Sequence, residues 1–384
     1  MGLTFEPLGK YVRLVDERNT SMVTESVLGI NIDKYFMPSV ANVIGTDLSN
    51  YKLLRKGRFA CNPMHVGRDG RLPVSRYTED VPAIVSPAYF MFEIIDENEI
   101  EPEYLMLCFR RPDFDRMCWF RTDASVRGGI TWDDVCALTI PIPPISEQRK
   151  IVRDYQVITN RIELFNKMDA ILKEHTQCIY KETFEGADSE NWEKKKLGDY
   201  LSLERGLSYK GEFLSDSGVP MINLGNILPN STYRPEKLKF YTGDYAKRHI
   251  VNVGDILVAN TDLTSAREVI GSAIRVPLLK TSPIICSHHI SIVRNCKISK
   301  YFILGLFNRP TFRERVKGFA TGTTVYAIPT ETILNFEVNI PPKNVMAKYE
   351  EMVVPLYAYM DVIQAETWFL NTLKDKLLER ISYA

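Results

Sequence analysis

The chain has 384 residues, 45% hydrophobic and 25% charged, the make-up of an ordinary soluble globular protein long enough for two or three domains. No uninterrupted apolar run is long enough to cross a bilayer, and the opening "MGLTFEPLGK" lacks the apolar stretch of a signal peptide; with seven scattered cysteines and no C-x-x-C pair, a cytoplasmic protein with reduced thiols and no membrane partner is expected. Lys+Arg and Asp+Glu balance at 48 each, but unevenly: residues 1–143 carry 16 against 20, 144–191 carry 7 against 9, 192–340 carry 20 against 13, and 341–384 carry 5 against 6.

Residues 1–143 read as a mixed, strand-rich domain. "AIVSPAYFMFEII" (83–95) has the β-branched and aromatic enrichment of strands, a helix follows near 102–111, and then comes a Gly-bearing loop, "DASVRGGI" (123–130). An apolar strand ends at Pro143-Pro144, which forces extended backbone. Ser146 is positioned as an N-cap, with Glu147 and Gln148 in a first turn where the macrodipole favours acceptors and negative charge. The helix is expected to run to about Phe184, and "EGADSEN" (185–191) to end it as a linker. From Trp192 the same series recurs: strand-like "HHISIVRN" (288–295), a helix near 299–308, the loop "ATGTTVYAI" (320–328), a strand ending at Pro341-Pro342, and a last helix in which Pro355 predicts a kink or a late start.

The recurrence is a duplication. "EYLMLCFRRPDF" (103–114) resembles "KYFILGLFNRPTF" (300–312); Arg111-Pro112, Phe114, Ile130 and Pro143-Pro144 match Arg309-Pro310, Phe312, Ile328 and Pro341-Pro342 at an offset of 198. "LLRKGRFACN" (53–62) aligns with "IVNVGDILVAN" (250–260) at 197, and "PLGKYVRL" (7–14) with "KLGDYLSL" (196–203) at 189. The rising offset assigns short extra sequence to the start of the first copy. Such a period is too long for a solenoid unit.

Each long helix carries a narrow apolar seam stepping by 3 and 4: Ile151, Tyr155, Ile158, Ile162, Phe165 and Leu172, continuing to Ile179; then Tyr349, Met352, Leu356, Tyr359, Ile363, Leu370, Leu373 and Leu377. Seams spanning ~55–60 Å need a partner, and antiparallel packing of the two helices on each other supplies one.

Catalytic chemistry finds little support. Asn62-Pro63-Met64 lacks the second Pro and the aromatic residue of an adenine-methyltransferase motif, and no Gly-rich strand-to-helix turn is present for a cofactor. Cys286, His288, His289 and Cys296 match no common zinc spacing, and adjacent histidines in a strand would face opposite ways. No metal site and no catalytic set is expected.

A globular domain, a Pro-Pro-x-x-Glu-Gln helix start, a long helix, and the same again resembles the specificity subunit of type I restriction-modification systems. The matching residues are Ser125, Arg127, Ile130, "IPIPPISEQRKIV" (140–152), "KLGDYLSLERG" (196–206), "VGDILV" (253–258), "IPP" (340–342) and "TLKDKLLERI" (372–381). "PPKNVMAK" in the second copy lacks the Glu-Gln, and the C-terminal "ERISYA" lacks the Gly-containing tail usual in the family. The resemblance implies an α+β fold of two duplicated mixed α/β target recognition domains separated by two long antiparallel helices forming a coiled coil. The division expected is 1–143 for the first recognition domain, 144–185 for a spacer helix, 186–191 for a linker, 192–342 for the second recognition domain and 343–384 for the second spacer helix. It further implies a non-catalytic subunit in which each domain reads one half of a bipartite, interrupted sequence in double-stranded DNA. The helices would dock two modification subunits, which carry S-adenosylmethionine and methylate adenine N6, and two restriction subunits would join where present. This chain would bind no cofactor itself. A self-contained DNA methyltransferase or nuclease, and a coiled-coil scaffold that does not bind DNA, are the competing readings.

Arg and Lys on guanine, Asn and Gln on adenine, and hydroxyls on phosphate are the chemistry of sequence reading. Loops rich in these groups occupy corresponding places in the two copies. They nominate Asn62, His65, Arg68, Arg71, Arg121, Ser125 and Arg127 in the first, and Asn260, Thr261, Ser265, Arg267, Arg315, Lys317, Thr323, Thr324 and Tyr326 in the second.

Overall fold

A computed structural model describes residues 4–64, 66–122, 128–229, 231–279 and 282–383. The fold is α+β, and the duplication extends to strand order. In the first copy one antiparallel sheet runs Val12–Leu14, Phe90–Ile94, Phe59–Cys61, Val74–Arg76 in space. A second runs Phe36–Pro38, Val27–Ile30, Ala83–Val85, Lys52–Leu54, with one parallel pair, Val27–Ile30 beside Ala83–Val85. The second copy repeats the first sheet as Ser202–Arg205, Ile290–Arg294, Ile256–Ala259, Ala273–Arg275. It repeats the second as Lys239–Tyr241, Val219–Ile222, Ile284–Cys286, Ile250–Val251, again with one parallel pair, and adds Leu214–Ser215 at the edge. The extra sequence therefore belongs to the second copy: residues 223–238 replace the short connection 31–35 of the first. Ile256–Ala259 is buried at every position, which accounts for its unbroken apolar run in place of alternation.

Each copy continues through two helices. Pro102–Arg110 and Pro112–Phe120 correspond to Lys300–Phe307 and Pro310–Lys317. Arg111 and Arg309 are extended because proline follows, and each serves as the N-cap of the second helix. Arg111 is buried against Asp113, and Arg309 reaches Glu185 at 2.6 Å.

The long helices span Ile145–Phe184 and Lys343–Tyr383. The first begins at Ile145, so Ser146 lies inside its first turn and is not the N-cap; the amides of Glu147 and Gln148 donate to Pro144 O at 2.8 and 3.1 Å. The second starts neither late nor beyond Pro355, which sits within the continuous helix. Gln148 is fully buried, and its amide group ties the helix start to the preceding chain: Oε1 accepts from Glu101 N at 2.9 Å, and Nε2 donates to Glu99 O at 3.0 Å and Pro143 O at 2.9 Å. At the matching position of the second copy Met346 packs into an apolar cluster.

Two compact units emerge, Met1–Ile162 with Leu370–Ala384, and Glu163–Phe369. In the first, Ile151, Val152, Tyr155, Leu378 and Ile381 belong to the cluster around Phe59, Phe92, Phe109 and Phe114. In the second, Tyr180 and Phe184 of the first long helix meet Tyr349 at ring distances of 6.0 and 4.7 Å, while Thr176, one turn earlier, lines one pocket with Tyr357 and Met360. Falling numbers on one helix meet rising numbers on the other, so the pairing is antiparallel. Gly305 leaves room for the Tyr180 ring, since a Cβ there would sit 2.3 Å from Tyr180 Cδ2.

The stripe on the second helix differs from the predicted seam. The buried positions are Tyr349, Val353, Tyr357, Met360, Ile363, Leu370 and Ile381, while Met352, Tyr359 and Leu373 are 46%, 46% and 40% exposed. Steps of 4 and 4 from Tyr349 hold the stripe toward the globular core, in which Val353 and Tyr357 join Phe302 and Ile303, whereas a heptad seam would serve a helix partner alone. Leu356 and Leu377 are half-buried beside that stripe, as are Ile162, Phe165 and Leu172 on the first helix, where Ile158 is buried.

Replacing Gln148 by Leu leaves the three backbone groups it satisfies unpaired in the core. Chemical denaturation should show a loss of about 2–4 kcal/mol; an unchanged midpoint would remove Gln148 as the clamp at the helix start.

Candidate nucleic-acid interface

In the first copy the nominated loops touch through their backbones. Gly67 N donates to Gly128 O at 2.8 Å and Ile130 N to Pro63 O at 3.2 Å. A Cβ on Gly67 would lie 2.9 Å from Gly128 Cα, and one on Gly128, whose φ is +57°, 2.6 Å from Gly67 Cα. Only glycine permits this approach. Trp119 adds a bond from Nε1 to Gly67 O at 3.1 Å.

Asn62 is half-buried and shapes the turn, its Oδ1 accepting from Met64 N at 3.0 Å. Arg68 and Arg71 are exposed, paired with Asp69 at 2.6 Å and Asp33 at 3.0 Å, and Arg121 is exposed at the end of Pro112–Phe120. Exposed pairs contribute little, so these guanidiniums can exchange carboxylate for phosphate at small cost. Arg71 shares a surface depression with Arg110 and Arg116, which the loop-based reading missed because both lie on helices. Beneath it, buried Lys34 donates to Phe109 O and to Asp115 Oδ1 at 2.7 Å, and Asp115 accepts from Leu72 N at 3.1 Å, fixing the chain next to Arg71. Burial pulls the Lys34 ammonium below its ordinary range, against the raising influence of Asp115. His65, Ser125 and Arg127 lie outside the described residues.

The second copy joins its loops by the equivalent bond, Ile328 N to Asn260 O at 3.0 Å, and adds a two-residue ladder pairing Thr261 with Ala327 and Asp262 with Tyr326. Thr321 and Ala327 exchange hydrogen bonds of 3.0 and 2.8 Å, closing a hairpin with Gly322 at φ +125° and Thr323 and Thr324 exposed at its tip. Buried Asp262 closes the facing loop by accepting from the amides of Thr264 and Val269, each at 2.8 Å. That loop presents exposed Ser265, and Arg267 at φ +54°, whose guanidinium stacks 4.2 Å over the ring of half-buried Tyr326. Arg315 is exposed and stacks 4.9 Å over Phe336; Lys317 lies 3.6 Å from Glu314.

Two nominated residues are corrected. Asn260 and Thr261 are 1% and 3% exposed. Asn260 Nδ2 donates to Ser291 Oγ at 3.0 Å, and Thr261 Oγ1 meets His289 Nδ1 at 2.9 Å. Both hold the loop in place and present nothing to a base. The histidines also depart from expectation: they occupy the turn before Ile290–Arg294, and their rings lie together with centroids 4.0 Å apart. Burial, then neighbouring His288, Arg205 and Lys239, holds His289 below the ordinary imidazole range. No group of three metal-ligating side chains occurs among the described residues.

Residues 189–351 match the family model described as the type I restriction modification DNA specificity domain. That segment is thus similar to the DNA specificity domain of type I restriction-modification systems. Among the chain's relatives are two type I specificity subunits of Methanocaldococcus jannaschii. MjaVIII is 22% identical over 262 residues, 63% of this chain and 60% of that protein, and MjaIX is 23% identical over 320 residues, 76% and 70%. The match to MjaVIII thus spans less than two thirds of that relative's length. The type I S subunit of M. genitalium shares the fold at a TM-score of 0.58 and 14% identity, over 100% of this chain and 96% of that one. No helix among the described residues is long and apolar enough to cross a membrane.

Gly67→Ala and Gly128→Ala each force two backbones apart. Each should lower stability by about 1–3 kcal/mol and weaken duplex binding, measured by thermal melting and fluorescence anisotropy. Wild-type behaviour in both would show that the joined loops are not a functional unit.

Proposed function

We propose that this chain is the non-catalytic DNA-reading subunit of a type I system, each globular domain recognising one half of an interrupted target in double-stranded DNA. The observation that carries the reading is the repeated loop pair: in both copies a backbone bond to Ile130 N or Ile328 N joins two loops that expose arginine or hydroxyl side chains beside a helix end. Arg68, Arg71 and Arg121 in the first copy, and Ser265, Arg267, Arg315, Lys317, Thr323 and Thr324 in the second, are the groups proposed to meet DNA. Methyl transfer from S-adenosylmethionine to adenine N6 belongs to modification subunits bound in trans, two per chain, with restriction subunits where the system includes them.

A second surface supports assembly with such subunits. On the first long helix Leu164 and Ile171, seven residues apart, are 55% and 64% exposed; on the second, Val362 and Phe369, also seven apart, are 56% and 55% exposed. Side chains at that spacing share one helix face, and an apolar face left in water is a docking surface. Leu164→Glu and Ile171→Glu should leave the melting temperature near wild type and reduce co-elution with the modification subunit on size exclusion. Full assembly by both variants would remove this face from the interface.

The decisive test of DNA reading is to map methylated adenines in a host expressing the chain with its modification subunit, then exchange residues 1–143 for those of a relative. One half of the target should change while the other half and the spacing persist. A change in both halves would refute the assignment of one domain to one half.

A further inference from the structure

In each compact unit the second helix of the repeat ends in an exposed aromatic side chain beside the joined loops. Phe120 is 78% exposed, and Trp119, 48% exposed, lies edge-on to it at 5.2 Å with its indole N–H on Gly67 O. In the other unit Phe319 is 56% exposed just past Pro310–Lys317, and the next carbonyl, of Ala320, accepts from Arg267 Nη1 at 3.4 Å. The neighbouring core positions are filled without them: Cys118 and Val316 point inward, and the two rings are left in water. The surroundings say what would cover them. Arg121 follows Phe120 and exposed Arg116 precedes it by one turn; Arg315 and Lys317 precede Phe319. The cores of protein–protein interfaces are depleted in charge. A flat apolar ring among cations matches a duplex, in which stacked bases lie between two rows of phosphate.

We propose that Phe120 and Phe319 are wedges that enter between adjacent base pairs of their half-sites, held there by the flanking arginines on phosphate. The inference rests on the DNA-reading function proposed above and adds a recognition mode to it. Apolar side chains inserted at a base step unstack and kink the duplex. Pyrimidine–purine steps unstack most cheaply, so each half-site would be read at one step by deformability, without a hydrogen bond.

The test uses the full chain assembled with its modification subunits and a duplex bearing the mapped target, with a fluorophore at each end. Phe120→Ala and Phe319→Ala should each raise Kd about tenfold and lengthen the end-to-end distance in the complex. The dependence of log K on log salt should not change, because no counterion is involved. Phe120→Leu should recover most of the affinity, and Arg121→Ala should lower the salt dependence instead. Unchanged Kd and distance in both alanine variants overturn the proposal. So does a changed salt slope for Phe120→Ala, which would make the residue a positioner of phosphate contacts. Loss of subunit assembly with normal bending overturns it in favour of a protein contact. If the wild-type complex fails to bind the target, the DNA-reading function falls first and the wedge with it.

Discussion

Burial of the long helices in the cores of the globular domains is the constraint on which the architecture depends. Tyr180 and Phe184 from one helix, and Tyr349, Val353 and Tyr357 from the other, belong to the same apolar cluster as Phe302, Phe307 and Phe312. Directional contacts sharpen that apolar seat. Arg275 reaches Tyr357 O at 2.9 Å and the Asp361 carboxylate from the edge of a sheet, and Arg309 grips Glu185 at 2.6 Å. The helices are therefore walls of the domains. The orientation of each joined loop pair relative to its helix is set by packed side chains and not by a linker.

The duplicated domain solves one local problem twice with different chemistry. Both copies must hold a second loop against the end of a central strand, and both use the same backbone bond to an isoleucine amide. The first brings the loops together at two glycines, where approach is limited only by backbone; the second substitutes a short ladder and a cation–ring stack, Arg267 on Tyr326. The helix starts diverge likewise, buried Gln148 in one and Met346 in the other. A hydrogen-bonded amide fixes direction, whereas a methionine fills volume and tolerates change.

Much of this was legible because duplication supplies an internal comparison. Matched Arg-Pro and Pro-Pro pairs mark the course of both copies and the starts of both long helices from the residues alone. What escaped were features decided by tertiary context. The periodicity of the second long helix admits both 349–352–356 and 349–353–357, and only the core it packs on chooses the latter. Asn260 and Thr261 look like base readers by residue type, yet hydrogen bonds to Ile328 and Ser291 take the first inside and strand pairing the second. Gln148 read as a helix-dipole residue because its partners, Glu99 and Glu101, lie almost fifty residues earlier. The helices Pro112–Phe120 and Pro310–Lys317 were missed because Arg-Pro reads as the end of one helix more readily than as the start of the next.

The composition of the first compact unit has a consequence for synthesis. Leu378 and Ile381 pack with Val152 and Tyr155, so that unit draws on residues 1–162 and on the segment after 369. A nascent chain emerging from the ribosome at about 5–20 residues per second would wait roughly 10–40 s between exposing Val152 and receiving its partners. During that interval the residues of the other unit, contiguous in sequence, are made, and that unit is complete at Phe369 shortly before Leu378 and Ile381 arrive. The order of completion is thus inverted relative to the order of synthesis. The half-made first unit, with part of its apolar surface uncovered, is the species that chaperones and proteases would meet.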